Sequence, residues 1–260
     1  MAPRGYQTLL VAEQGGVVTV TLNRPERRNA LSAAMANELL YVIGDANNDP
    51  ETRVIVLQGS GPVFCAGGDF SQMAGGGDQP EGLAMRGDYA DLLLAMMRTT
   101  RPIVARVHGH AMGGGLGLVA ASTFAIASTE AQLGTPEVHV GLFPMMIMAV
   151  LGRLVPRRRL VEMMLSGERM PAADAAAIGL INQAVAPSQL DEAVAATVQM
   201  LLARSPAALR LGLDAFAAQD DLALADALPM LRERLTGVLS TDDAREGLTA
   251  FLEKRKPVWT

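Results

Sequence analysis

The chain has 260 residues, of which 50% are hydrophobic and only 4% aromatic, and its net charge is −5. That length accommodates one large domain or a domain with an appendage, and the acidic balance argues against a general nucleic-acid binder, which shows a basic footprint. The single cysteine, Cys65, excludes an internal disulfide and a thiolate zinc site.

Residues 1–5 lead into no apolar signal core, and the longest apolar runs are too short or too interrupted to cross a membrane. The sequence therefore reads as that of a cytoplasmic protein. Residues 7–13 and 16–22 alternate as paired strands, with Gly15-Gly16 as the hairpin turn. A helix is expected from Ser32 to Ala46, because Met35, Leu39, Val42, Ile43 and Ala46 share one face. Arg53 to Leu57 is a short buried strand. Residues 71–82, rich in Gly, Gln and Asp, read as a mobile loop that could act as a lid. A helix from Asp88 to Arg98 follows, then a strand at Ile103–Val107, a glycine turn at Gly113-Gly114-Gly115, an apolar helix from Leu116 to Ala121 and a strand at Phe124–Ser128.

Alternating strands and helices imply α/β architecture with a largely parallel sheet. Beyond residue 155 the pattern is helical, at 157–165, 172–178, 189–204, 206–218, 221–238 and 242–254, with no strong strand. The last helix opens on Ser240-Thr241-Asp242-Asp243, read as a capping box, and presents Ala244, Leu248, Phe251 and Leu252 as its apolar face. The chain divides into an α/β core at 1–195 and a helical region at 196–260.

Two glycine-containing turns, Ala66-Gly67-Gly68-Asp69 and Gly113-Gly114-Gly115, each follow an expected strand. In a parallel sheet both strand ends lie at one edge, where α/β proteins place ligands. The first turn of a helix offers unpaired N–H groups and a dipole's positive end. The turns are therefore either ordinary tight turns or, together, an oxyanion hole. Glu137, after Pro136 and in apolar surroundings, is either a general acid/base with a raised pKa or an acid complementing a helix N-terminus.

With Leu22-Asn23-Arg24-Pro25, Asn29-Ala30-Leu31, Phe64 to Asp69, Gly109 to Gly115, Thr135-Pro136-Glu137, Leu165-Ser166-Gly167, Ala172 to Asn182 and Phe251 to Pro257, the chain resembles the crotonase superfamily, the enoyl-CoA hydratase/isomerase family, over nearly its whole length. The order and spacing of these segments carry the resemblance. It implies crotonase-like repeated ββα units forming a spiral core, with a C-terminal helical trimerisation region and assembly as a homotrimer or a dimer of trimers. It implies an acyl-CoA thioester as substrate, with coenzyme A as part of that substrate and no separate cofactor or metal. The N–H groups of Ala66 and Gly114 would hold the thioester oxygen, with Glu137 as catalytic acid/base. Arg27, Arg28, Gly67, Gly68, Asp69, Pro136, Val140 and Lys254 complete the implied substrate and CoA contacts. Lys254, Arg255 and Lys256 would meet CoA phosphates, although cations at a helix C-terminus also complement its dipole.

The chain departs from the hydratase pattern at Gly117, where two-glutamate hydratases carry their other acid. One carboxylate can shuttle a proton between two carbons, whereas adding water usually uses two. Double-bond isomerisation is therefore modestly favoured, with hydration by Glu137 alone or non-catalytic acyl-CoA binding as alternatives. Asp69 or the 71–82 loop could supply a supporting group. A second departure is Met145-Met146-Ile147-Met148, which either lines an adaptable acyl pocket or fills the core.

Three other readings fit less well. Gly115 to Ala120 matches G-x-G-x-x-A of a nicotinamide dinucleotide site, but the acid, Glu137, does not end a second strand. Ser122 lacks a histidine at a triad position. Cys65 reads as a buried inert thiol, and His108, His110 and His139 as structural rather than metal-binding residues.

Overall fold

The computed structural model describes residues 4–69, 71 and 82–259; most of the expected lid loop, residues 72–81, lies outside the described residues. Strands β1 (Leu9–Gln14) and β2 (Val17–Leu22) pair antiparallel, with Gln14 opposite Val17 across the Gly15-Gly16 turn. In β2, Val18, Val20 and Leu22 alternate into the core, the period expected of a strand with one covered face. Helix α1 (Ala33–Asn48) starts where Ser32 Oγ accepts the Met35 N–H at 3.1 Å and buries the anticipated stripe from Met35 to Ala46.

Strand β3 (Val54–Gly59) lies parallel to β2. Helix α2 (Tyr89–Met97) begins at a reciprocal cap in which Asp88 accepts from Ala90 and Asp91 N–H while Asp91 accepts from Asp88 N–H. There follow β4 (Ile103–Val107), β5 (Ala111–Met112), α3 (Gly114–Ala121), β6 (Phe124–Ser128) and β7 (Gln132–Gly134). Then come a 3-10 turn at Pro136–Val140, α4 (Met145–Leu151), α5 (Arg157–Ser166), β8 (Arg169–Pro171), α6 (Ala172–Ala177) and β9 (Gln183–Val185).

One six-stranded sheet has the order β1-β2-β3-β4-β6-β9, parallel except for the first pair, and a three-stranded sheet has the order β5-β7-β8. Successive units β1-β2-α1, β4-β5-α3 and β6-β7-α4 repeat strand, strand, helix, and the later units place their second strand in the small sheet. The main core packs α1, α2 and α3 against one sheet face. Val54, Val56, Val104 and Ile126 on the other face meet Leu190, Val194, Val198 and Leu201 of α7 (Leu190–Leu202). Residue 195, the boundary drawn from sequence, lies inside this helix.

The region beyond 155 is not purely helical. Strands β8 and β9 have three residues each, too few to show a two-residue period. The remaining helices are α8 (Pro206–Gln219), α9 (Leu224–Leu239) and α10 (Asp242–Glu253). The capping box expected at α10 is also corrected. Thr241 is the cap and accepts Ala244 N–H, whereas Asp243 is buried and accepts Ser205 Oγ at 2.6 Å and Ala207 N–H at 3.1 Å. The expected apolar face of α10 is turned to solvent: Leu248 is 59% exposed, Phe251 and Leu252 80% each. Among the described residues, no helix is long and apolar enough to cross a membrane.

Candidate active site

Because β3 and β4 run parallel and adjacent, the two glycine-containing turns leave the sheet at the same edge and touch. Cys65 bridges Ala111, and Met112 N–H donates to Cys65 O at 3.0 Å. A Cβ added at Gly115 would lie 2.6 Å from that of Cys65, so only a glycine lets α3 start against the first turn. Burial pushes the Cys65 thiol up to about 12, while its Sγ lies 3.0 Å from Asn29 O, the inert thiol expected.

The expected pair of N–H donors is half corrected. Ala66 N–H already donates to Arg28 O at 3.0 Å. Gly68 is the residue on that segment whose donor faces outward. Leu31 N–H donates to Gly67 O at 2.8 Å and Asp69 N–H to Leu31 O at 2.9 Å. Backbone N–H groups alternate sides along extended chain, so the Gly68 N–H points away from Leu31, and no described group accepts it. Gly114 opens α3, where the first N–H groups have no intrahelical acceptor.

Glu137 is delivered by the small sheet. Strand β5 pairs parallel with β7, Gly113 N–H donates to Gly134 O at 2.8 Å, and the chain turns through Pro136–Val140 over the glycines. A Cβ at Gly113 would lie 2.8 Å from Glu137 Oε1. Gly113 also has φ +49°, a region that other residues enter at a cost. Glu137 Oε2 is buried with no hydrogen-bond partner among the described residues. Burial raises the Glu137 carboxyl above its ordinary 4.5, opposed by a bond from its own backbone.

The raised carboxyl fixes the sign of a stability effect. Between 4.5 and the higher folded value the unfolded chain is ionised while the folded chain still holds its proton, so stability falls as pH rises through that window. Glu137→Gln removes this loss. The variant should melt higher than the parent at about pH 8, with the gap narrowing at about pH 4; melting curves at both pH values check it, and a gap independent of pH contradicts it.

The other expected contacts lie around this centre in different states. Arg27 ends the 3-10 turn Pro25–Arg27, and Arg28 follows it in a left-handed conformation; both are exposed. Gly67 packs 3.1 Å, from a would-be Cβ, against Met112 O. Asp69 is committed within the chain. Burial would raise its carboxyl, but Ser71 Oγ at 2.5 Å and Arg24 at 3.0 Å hold it below the usual range, so it does not serve as a second free acid. Pro136 and Val140 flank Glu137 on its turn, with Val140 59% exposed. Lys254 is the left-handed cap of α10, and Arg255 is engaged by Glu246 and Glu253.

The three histidine rings each meet a backbone group, Gly61 O, Gln132 N–H and Ser166 O respectively for His108, His110 and His139. Met145, Met146 and Met148 are not core: they are 61%, 46% and 37% exposed, whereas Ile147 is buried. Met145 and Met146 line an open cavity of about 360 Å³ with Leu93, Leu94, Met97 and Phe216.

The roles of two residues are not legible in the sequence. Asn29, at φ +54°, donates from Nδ2 to Ser60, Val63 and Phe64 O and accepts Arg24 N–H, fixing the Arg28 turn to the Ala66 turn. Tyr89 places its hydroxyl 2.6 Å from Gly114 O as a donor. A Cβ at Gly117 would collide with that hydroxyl and lie 2.5 Å from Ile147 Cγ2. The glycine at 117 is the signal that something packs closely there.

Comparison with known proteins identifies the family. A family model described as Enoyl-CoA hydratase/isomerase matches residues 12–260. The mitochondrial enoyl-CoA hydratase domain-containing protein 3 of Rattus norvegicus is 33% identical over 248 residues, covering 95% of this chain and 83% of that protein. The crystal structure of an enoyl-CoA hydratase from Mycobacterium smegmatis is 36% identical with a TM-score of 0.90, covering 97% of this chain and 99% of the other. That of human enoyl Coenzyme A hydratase domain-containing protein 3 is 29% identical with a TM-score of 0.89, covering 97% and 100%. With a family model spanning almost the entire sequence and a shared fold over the same length, this chain belongs to the enoyl-CoA hydratase/isomerase family.

Proposed function

We propose that the protein moves a carbon–carbon double bond in an acyl-CoA thioester, through an enolate, with Glu137 as the single proton-carrying carboxylate. The observation that carries this reading is the Glu137 carboxylate over Gly113, one residue from the free Gly114 N–H, with glycine at 117. The thioester oxygen sits between the Gly68 and Gly114 N–H groups. Glu137 takes a proton from C2 of a 3-enoyl ester, the charge moves to the oxygen, and the same carboxyl returns a proton at C4. The double bond passes from C3–C4 to C2–C3, and the enzyme ends as it began. A backbone donor at such an oxygen typically contributes about 3–4 kcal/mol to the transition state.

The exposed Arg27 and Arg28 flank the Ala66 turn and suit the nucleotide end of coenzyme A, and Lys254 suits a phosphate. Hydration by Glu137 alone and non-catalytic binding are the competing outcomes. Proton exchange separates non-catalytic binding from enolate chemistry: butyryl-CoA in deuterium oxide should lose its C2 protons, followed by NMR, with the protein and not with Glu137→Gln. Binding without exchange would establish a non-catalytic acyl-CoA binder. The single buried Cys65 suits a reducing compartment, the cytoplasm.

The exposed Leu248, Phe251 and Leu252 support assembly as a homotrimer or a dimer of trimers, since apolar side chains clustered on one helix mark an association face. Phe251→Asp with Leu252→Asp should reduce the mass seen by light scattering to that of one chain without lowering far-UV helicity. An unchanged oligomer, or a parent that is already monomeric, contradicts this.

A further inference from the structure

We propose that Tyr89 is the residue that determines the reaction at this site, by filling the space beside Gly117 and holding the first turn of α3, so that Glu137 alone reaches the reacting carbons. The inference rests on the functional reading above and deepens it. Gly113 is the residue just before α3, and Gly117 lies in its first turn. Gly113 faces the Glu137 carboxylate, and Gly117 faces the Tyr89 hydroxyl. A side chain at 117 would enter volume that the phenol and Ile147 already occupy, beside a hydroxyl that feels the Glu137 charge.

The ring also lies against Gly114, 3.5 Å from a would-be Cβ at both Cζ and the hydroxyl, and its O–H donates to Gly114 O. The residue whose N–H is offered to the thioester oxygen is thus held through its own carbonyl. Burial, with Cys65 and Glu137 nearby, keeps the phenol well above the ordinary tyrosine range and hence neutral. It places no second negative charge beside Glu137 and offers no base to activate water. Tyr89 sits at the start of α2, fixed by the reciprocal cap of Asp88 and Asp91, so its reach to α3 is set by a rigid helix end.

The first arm of the test is Tyr89→Phe, which keeps the ring and deletes only the hydroxyl. C2-proton exchange of butyryl-CoA and turnover of a 3-enoyl-CoA should both fall about tenfold in rate, with KM within about twofold. A general loosening of structure would lower the melting temperature and raise KM instead. The second arm compares Gly117→Glu alone with Gly117→Glu in a Tyr89→Ala, Ile147→Leu background, which clears the occupied volume. The cleared variant should hydrate a 2-enoyl-CoA at least about tenfold faster than Gly117→Glu and than the parent, consistent with what one added acid/base typically contributes.

Wild-type exchange measures the functional reading itself, and the variant ratios measure Tyr89, so the two fail separately. A Tyr89→Phe protein with the parent's kcat and exchange rate overturns the positioning role. Equal hydration by Gly117→Glu with and without the clearing substitutions overturns the control of that space by Tyr89.

Discussion

Glu137→Gln should lower kcat for isomerisation of a 3-enoyl-CoA by about 1,000-fold while changing the Kd of the ester by less than about threefold. The amide is nearly the same size as the carboxyl, so it keeps the contact over Gly113, where the Oε1 stands 2.8 Å from a would-be Cβ. What it loses is the ability to carry a proton away from C2. The raised carboxyl makes Glu137 a better match than an exposed glutamate for a weak carbon acid, because its conjugate acid forms more readily. The pH–rate profile should accordingly rise through a value above 4.5, as the carboxyl loses its proton and becomes a base. Stopped-flow turnover and calorimetric binding on the two proteins check both statements. A variant within tenfold of the parent would remove Glu137 from the chemistry.

The second large effect is expected at Gly114. Proline is tolerated at the first position of a helix because the N–H it lacks has no intrahelical partner there. Gly114 occupies that position in α3, and a Cβ there meets the flexible end of Leu31 at 3.0 Å. Gly114→Pro therefore deletes the proposed donor while leaving the helix its ladder. It should lower kcat/KM by about 100- to 1,000-fold, the usual effect of losing one such donor, and fold with near-native circular dichroism. A folded Gly114→Pro protein with nearly full activity would show that the charge is held elsewhere.

Local chemistry made much of this structure legible before any coordinates. Helices expected from Ser32 and from Asp88 start there, and the structure shows both residues as side-chain caps. The strands at Ile103–Val107 and Phe124–Ser128 were bounded correctly because each is a short apolar run between breakers. The convergence of the two glycine-containing turns followed from parallel neighbouring strands. Which N–H on the first turn is free did not follow. That depends on Arg28 and Leu31, some 35 residues away in sequence, each claiming one side of the Ala66–Asp69 segment. Ala66 and Gly68 look equivalent until that pairing is seen.

Tyr89 was hidden for a similar reason. In sequence it is one aromatic residue at the start of an apolar helix, and its meaning comes from α2 crossing the glycines of α3. The missed strands β8 and β9 are set by their partners β7 and β6 and have too few residues to show a pattern of their own. The apolar stripe of α10 is visible in the sequence; where it faces is not, and in the structure Asp243 and Ala250 are buried while Leu248, Phe251 and Leu252 face outward.

Whether one carboxylate moves a double bond here is tested most directly by giving the same protein a 3-enoyl-CoA and, separately, a 2-enoyl-CoA, and following absorbance of the conjugated thioester. A gain in the first mixture with a larger kcat/KM than the loss in the second, and both abolished in Glu137→Gln, is the result expected of a single-glutamate isomerase. Faster loss in the second mixture, or a gain that survives Glu137→Gln, would contradict it.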